Sequence, residues 1–343
     1  MQNGIGPAVA ADRGDVRVRI GLAAAAAAYL ALLALSVWAL FALVPDRISL
    51  SFAGRAFALG DLHRRVAVKG VVLAVILPVI FLAEAASVGW DESSLRAVLF
   101  ARTASMKTDI VSVLAWLTPL MSVLSAAATF GVVLIAGGWL HNLLQRLTGQ
   151  SFSVAAWPLA AQIAATFTVF SFFDYWSHRL DHSSAFWPLH RFHHSAEEFC
   201  VLTSSRTHPA VFTAIVGATL PGAVICASPG ALLDMNLLVL ALRFLIHSRI
   251  ESDFGWIGRW LIQSPPHHRL HHRLAARAEA TNFSLAPIWD HLFRTWAELP
   301  PGPAKIGVRA HYRHGGLPLA DAWRDYAEFW RICFGRLRPR TAP

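Results

Sequence analysis

The sequence predicts an all-α integral membrane protein, with four to six transmembrane or hairpin segments and a cytosolic, histidine-rich helical cap. Three observations carry that expectation. Of the 343 residues, 55% are hydrophobic and only 15% charged, and the mean hydropathy of +0.46 is well to the apolar side of soluble proteins. Long apolar runs recur along the chain, separated by short charged stretches. Eleven of the sixteen histidines crowd between positions 178 and 272.

The first 20 residues form an arm carrying Arg13, Arg17 and Arg19. Residues 21–44 follow, uncharged over 24 positions and long enough at about 1.5 Å per residue to cross a hydrocarbon core of roughly 30 Å. This run is too long for the apolar region of a signal peptide and lacks a cleavage site, so it is expected to be retained. A mixed segment with Asp46, Arg47, Arg55, Asp61, Arg64 and Arg65 leads to a second apolar run, 68–88, with Lys69 at its edge as a snorkelling residue. Residues 91–109 are again charged. The third run, 110–140, is long for one span and holds Pro119, which predicts an interfacial piece or kink and then a span from about Leu120.

A fourth run, 154–175, continues directly into Ser177-His178-Arg179-Leu180-Asp181-His182, so the histidines begin where a helix leaves the bilayer. Runs 209–228 and 231–246 are short and broken by Pro221-Gly222 and Pro229-Gly230, the pattern of a membrane hairpin or a partly re-entrant pair. With the N-terminal arm in the cytoplasm, four spans return the chain there at His178 and the hairpin returns it again before His267. Both histidine clusters then lie on the cytoplasmic face, although the arginines at 47, 55, 64 and 65 fall outside.

Composition also excludes classes. The net charge of +9 comes from 27 arginines and 3 lysines set between and after apolar segments, which suits an anionic leaflet and not nucleic acid. Cys200, Cys226 and Cys333 form no CxxC pair, so neither a disulfide framework nor a thiolate metal site is expected. The absence of CxxCH and GxGxxG motifs means that electrons for any redox chemistry come from a separate protein.

The clustered histidines are patterned as His178-x3-His182, His190-x2-His193-His194 and His268-x2-His271-His272. Positions i, i+3 and i+4 share one helical face, so each set can converge on an ion. Pro188 and Pro265-Pro266 stand where a first turn tolerates proline, with Ser264 as an N-cap. Imidazoles packed together repel when protonated and leave ring nitrogens unsatisfied when neutral, and metal coordination removes both difficulties. Eight such ligands exceed one four-coordinate zinc and favour two ions with open positions. Imidazole accepts iron, copper, nickel and zinc alike. Apolar hairpins beside the site suit an inert alkyl C–H bond, which fits iron and dioxygen better than hydrolysis. Isolated His63, His141, His291, His311 and His314 read as interfacial polar residues.

The set HRLDH, HRFHH, RTHP and HHRLHH, followed by ATNFSLAPIWDHLF, resembles the fatty acid hydroxylase and sterol desaturase superfamily of membrane di-iron enzymes over roughly residues 165–297. The resemblance implies His178, His182, His190, His193, His194, His268, His271 and His272 as ligands, with His208 and His247 at two further family positions. His267 is left as a neighbour of the site. Asn282 matches a family position, but Phe283 and Ser284 replace Tyr and Gly, and Arg294 stands where glycine is usual; these departures touch substrate fit more than metal binding. Asp174, Asp181, Glu197, Glu198 and Asp290 are candidates to orient ligand rings, and Arg179, Arg191, Arg206, Arg269 and Arg273 to pair with carboxylates or lipid head groups.

The domain layout expected is an arm at 1–20, a transmembrane region at 21–150, the di-metal domain at 151–298 and a cytosolic tail at 299–343. The activity expected is an oxygenase with two iron ions that takes electrons from a ferredoxin- or cytochrome-type donor and hydroxylates or desaturates a lipid. Two rivals differ in class. A divalent-metal transporter would place ionisable residues in the middle of spans; a zinc-dependent lipid hydrolase would work without oxygen.

Overall fold

The computed structural model describes residues 62–337 except 102, 119, 149–152, 275–279 and 303–304, together with a hairpin at 48–52 and 55–59 and isolated positions between 31 and 45. The expected span at 21–44 therefore lies largely outside the described residues. The chain divides into two compact units, Met1–Val75 and Ile76–Pro343.

In the first unit the mixed segment forms an antiparallel pair, β1 (Ile48–Phe52) with β2 (Arg55–Leu59), in the register Ile48 to Leu59. This short hairpin is the exception among described elements that are otherwise helical, as expected. ISLSF alternates apolar and polar residues with the period of a strand, a signal too short to show in a hydropathy window. Helix α1 (Leu62–Val71) follows.

The second unit is helical: α2 (Leu77–Val88), α3 (Ala104–Leu117), α4 (Leu120–Ala128), α5 (Val132–Thr148), α6 (Leu159–Asp181), α7 (Trp187–His194), α8 (Leu220–Val224), α9 (Pro229–Ile246), α10 (Gly255–Trp260), α11 (Pro265–His271), α12 (Ile288–Leu292) and α13 (Leu319–Leu337). Among the described residues two helices are long and apolar enough to cross a membrane, Val66–Val88 and Pro229–Ile246, and a third counts if α3 and α4, bent by 86°, make one broken span. The bend falls between Leu117 and Leu120, where the Thr118 hydroxyl accepts from the Leu120 amide. The span expected from Leu120 is not continuous: α4 ends at Ala128, and Phe130 (φ 53°) and Gly131 (φ 70°) turn the chain before α5. The fourth run does form α6. That helix buries Gln162, Thr166, Ser171 and Asp174, which makes it an amphipathic wall of the site more than an apolar span.

Helices α6 and α9 pack through Phe170, Val239, Leu242 and Ile246, joined by Leu285. Each such side chain contributes about 1.5–3 kcal/mol by leaving water. The π-helical turn Ile215–Thr219 lies against α6 at Gly217, where a Cβ would come within 2.8 Å of Ser177 Oγ, so glycine sets that close approach.

The segment expected as a tail folds back onto the site. Phe329 of α13 packs on Leu189 and Ala210, and the fully buried Asp325 accepts from Arg191 and from the Tyr312 hydroxyl. Arg191 also reaches Glu328 at 2.6 Å. The arginine between His190 and His193 is therefore clamped by the C-terminal helix.

Candidate metal centre

Two groups of histidines converge in the second unit. His178, His182, His190, His194 and His271 form one; His193, His247, His268 and His272 form the other. Within each group one nitrogen per ring lies within 4.8 Å of all the others. Helix α6 supplies the first pair from its last turn, α9 ends at His247, and the short helices α7 and α11 supply the rest. Both short helices start on prolines, as the sequence predicts, although Ser264 at the N-cap of α11 makes no capping bond and instead places its hydroxyl 2.7 Å from His267 Nδ1.

Each three-histidine box divides between the groups. In α7 the outer pair, His190 and His194, joins the first group and His193 the second. In α11 the division is reversed, with His268 and His272 in the second group and His271 in the first. The groups share a wall, since His194 and His272 stack with centroids 4.2 Å apart.

Backbone carbonyls fix the rings. The Nδ1 of His178 lies 2.6 Å from Phe283 O, that of His271 2.7 Å from Thr281 O, that of His247 2.7 Å from Arg243 O, and that of His193 3.2 Å from Arg206 O. A proton on Nδ1 donated to a carbonyl turns the Nε2 lone pair inward, the arrangement metal-bound histidine adopts. Burial holds His190, His193, His194, His268, His271 and His272 well below the ordinary imidazole pKa and brings His247 down to about 3, so the rings are neutral and their lone pairs free.

These residues fit a metal. Nε2 atoms approach at 3.1 Å between His190 and His194, 3.0 Å between His247 and His268, and 3.2 Å between His268 and His272. Two nitrogens that each bind one ion at about 2.0–2.1 Å sit roughly 3.0–3.4 Å apart. His178 Nε2 and His271 Nε2, opposite the carbonyl-bound Nδ1 of each ring, are buried with no hydrogen-bond partner. Each such orphan costs about 1–3 kcal/mol, a penalty that coordination of inward-facing nitrogens relieves.

His208 is not brought to either group. Its Nε2 lies 2.9 Å from Ala322 O, and its Nδ1 accepts from the Ala210 amide at 3.0 Å. Both its nitrogens are engaged by backbone groups. His208→Gln is expected to keep the metal content per chain while lowering stability by about 1–2 kcal/mol; elemental analysis and a thermal melt check this, and a fall in metal content would restore it as a ligand. His267 also stands apart, its ring stacked on Trp296 at 4.4 Å.

The carboxylates depart from expectation. Asp181 alone stands near a ligand ring, 3.7 Å from His190 Nδ1, and burial pushes its pKa up to about 7. Asp174 pairs with Arg243 at 2.7 Å, because Phe283 already occupies His178 Nδ1. Asp290 accepts from the amides of Phe283 and Ser284 and from the Thr295 hydroxyl, so it pins the loop whose carbonyls aim the rings. Glu197 and Glu198 turn to His314 and Arg249.

The ATNFS element is therefore part of ligand orientation, through backbone atoms that the Phe283 and Ser284 replacements leave unchanged. Asn282 takes φ 57° there, and Arg294 takes φ 58°, a left-handed conformation that costs a non-glycine residue about 1–2 kcal/mol. Sequence patterns did not reveal Asp109, whose carboxylate pairs with Arg206; both side chains are 0% exposed. Arg206 also donates to Ser195 Oγ at 3.1 Å and to Ser105 O at 2.7 Å.

A cavity of about 350 Å³ opens from the histidines between α6, α9 and the 215–219 turn, lined by Phe170, Asp174, Phe212, Leu240 and Arg243 among others. Its size is that of a small-molecule site.

Comparison with known proteins matches residues 163–295 to the fatty acid hydroxylase family model. Alkylglycerol monooxygenase of Xenopus tropicalis is 28% identical over 139 residues, 38% of this chain and 29% of that protein. The human alkylglycerol monooxygenase is 28% identical over 130 residues, 36% and 27%. That of Caenorhabditis elegans is 27% identical over 146 residues, 40% and 27%. The matches thus span under a third of each relative's length. No solved structure matches. The region similar to the fatty acid hydroxylase family, residues 163–295, holds every histidine of both groups.

Proposed function

We propose that the protein is a membrane-bound di-iron oxygenase that hydroxylates a lipid C–H bond. The observation that carries this reading is the pair of buried histidine groups, each with one nitrogen per ring converging, at the head of a partly apolar cavity. His178, His182, His190, His194 and His271 would hold one iron, and His193, His247, His268 and His272 the other. Iron bound there supplies activation of dioxygen by electrons from a separate ferredoxin- or cytochrome-type donor. In balance, one oxygen atom enters the C–H bond and the other leaves as water, with two electrons and two protons consumed.

The chain's own residues bind, orient and exclude. Four backbone carbonyls hold ring tautomers, Phe170, Val239 and Leu285 keep water from the cavity, and Asp181, its pKa near neutrality, can hold a proton beside His190. The relatives' name, monooxygenase, supports hydroxylation over desaturation.

The test is purification of the full chain in detergent, iron and zinc analysis, and incubation with reductant, extracted membrane lipids and oxygen-18 gas. One labelled oxygen atom per lipid product is expected, dependent on iron. Product formed by zinc-loaded protein without oxygen would overturn the proposal.

A further inference from the structure

Two side chains on the cavity wall have no part in holding the histidines and stand one helical turn from them. Asp174 precedes His178 by four residues on α6, and Arg243 precedes His247 by four on α9. Their contact at 2.7 Å, with His178 and His247 one turn further on in adjoining histidine groups, places this turn of the two helices at one level. On α9 the residues lining the cavity are Asn236, Val239, Leu240, Arg243, Ile246 and His247, a single face at helical spacing. Moving away from the histidines, that face meets the ion pair first and apolar side chains next.

The Arg243 side chain is 46% exposed, and it gives one N–H to Asp174 while its guanidinium carbon lies 5.9 Å from the Phe170 ring centroid. A guanidinium carries five N–H donors in a fixed fork, so donors remain for an oxygen acceptor in the cavity. The pair is charge-compensated. The other arginine lining the cavity, Arg206, is committed to Asp109, and the remaining charged lining residue, Asp181, adds no cation. The wall thus offers donors and acceptors together, with no unpaired positive charge.

We infer that Arg243 and Asp174 form a head-group site for a neutral, hydroxyl-bearing lipid, and that they discriminate against a fatty carboxylate. This rests on the lipid-oxygenase reading for its consequence but not for its binding chemistry. A diol accepts from Arg243 and donates to Asp174 without disturbing their pairing. A carboxylate meets Asp174 as a like charge and must displace it. One turn of helix is about 5.4 Å, so a head group seated here places the first few carbons of the chain, and not its far end, beside the histidines.

The experiment uses the iron-loaded full chain in detergent, with radiolabelled hexadecylglycerol, palmitate and hexadecane as probes in equilibrium binding, and iron content as the control for folding. Wild type is expected to bind hexadecylglycerol at least tenfold more tightly than palmitate or hexadecane. Arg243→Gln should lose that preference while keeping its iron. Asp174→Asn, which leaves Arg243 uncompensated, should reverse the order of diol and palmitate by at least tenfold. Palmitate binding to wild type as tightly as the diol overturns the inference, as does unchanged diol preference in both iron-replete variants. Arg243-dependent diol binding without oxygen-dependent product would sustain the head-group site and remove the oxygenase reading. Product oxidised at the distal end of the bound diol would overturn the placement.

Discussion

His271→Ala is expected to lose metal and to reduce lipid oxidation by more than about 100-fold, whereas His267→Ala retains most of both. The two residues lie on one helix with similar burial, and both leave Nε2 buried without a hydrogen-bond partner, but of the two His271 alone belongs to a histidine group. His271 has Nδ1 on the Thr281 carbonyl and an Nε2 with no hydrogen-bond partner among the first histidine group. His267 has Nδ1 against Ser264 Oγ, stacks on Trp296 and belongs to neither group. Metal per chain by elemental analysis, read beside activity, separates a ligand from a packing residue. Equal loss in the two variants would show that the third box is wrongly divided.

Arg206→Met should destabilise the protein by about 3–5 kcal/mol, because it leaves Asp109 charged, buried and unpaired. The double variant Arg206→Met with Asp109→Leu should recover most of that loss, since an apolar pair of similar volume often replaces a buried ion pair at little cost. Thermal unfolding in detergent checks both. A single variant with the Tm of the parent would mean that Asp109 finds another partner or water. The effect should reach the metal centre too, because the Arg206 carbonyl orients His193.

Those two residues show where sequence stops being informative. The boxes were legible because imidazoles at i, i+3 and i+4 need only the helix to bring them together. His247 was found by family resemblance alone; one histidine at the end of an apolar run carries no spacing signal. His208 matched the same family, but the C-terminal helix and the Ala210 amide take both its nitrogens. Asp109 and Arg206 are 97 residues apart, and Arg191 and Asp325 are 134 apart; each pair looks like solvated charge until the chain is folded. The cap was read as helical and histidine-rich, whereas the β1–β2 hairpin was hidden by strands of five residues. Asp174 reads as a carboxylate that orients a ligand ring, although the partner it takes is an arginine of another helix.

The reversed division of the two three-histidine boxes has a mechanical consequence. A helix whose polar groups all serve one focus can roll about its axis until that focus is satisfied, and nothing penalises the choice of angle. Helices α7 and α11 each serve two foci from adjacent residues, so a roll that improves one set of nitrogens swings the other away. Their azimuth is fixed by opposition between the two demands, as a beam is fixed by two guy lines that pull apart. Arg191, gripped by Asp325 and Glu328 of the C-terminal helix, adds a third hold on α7.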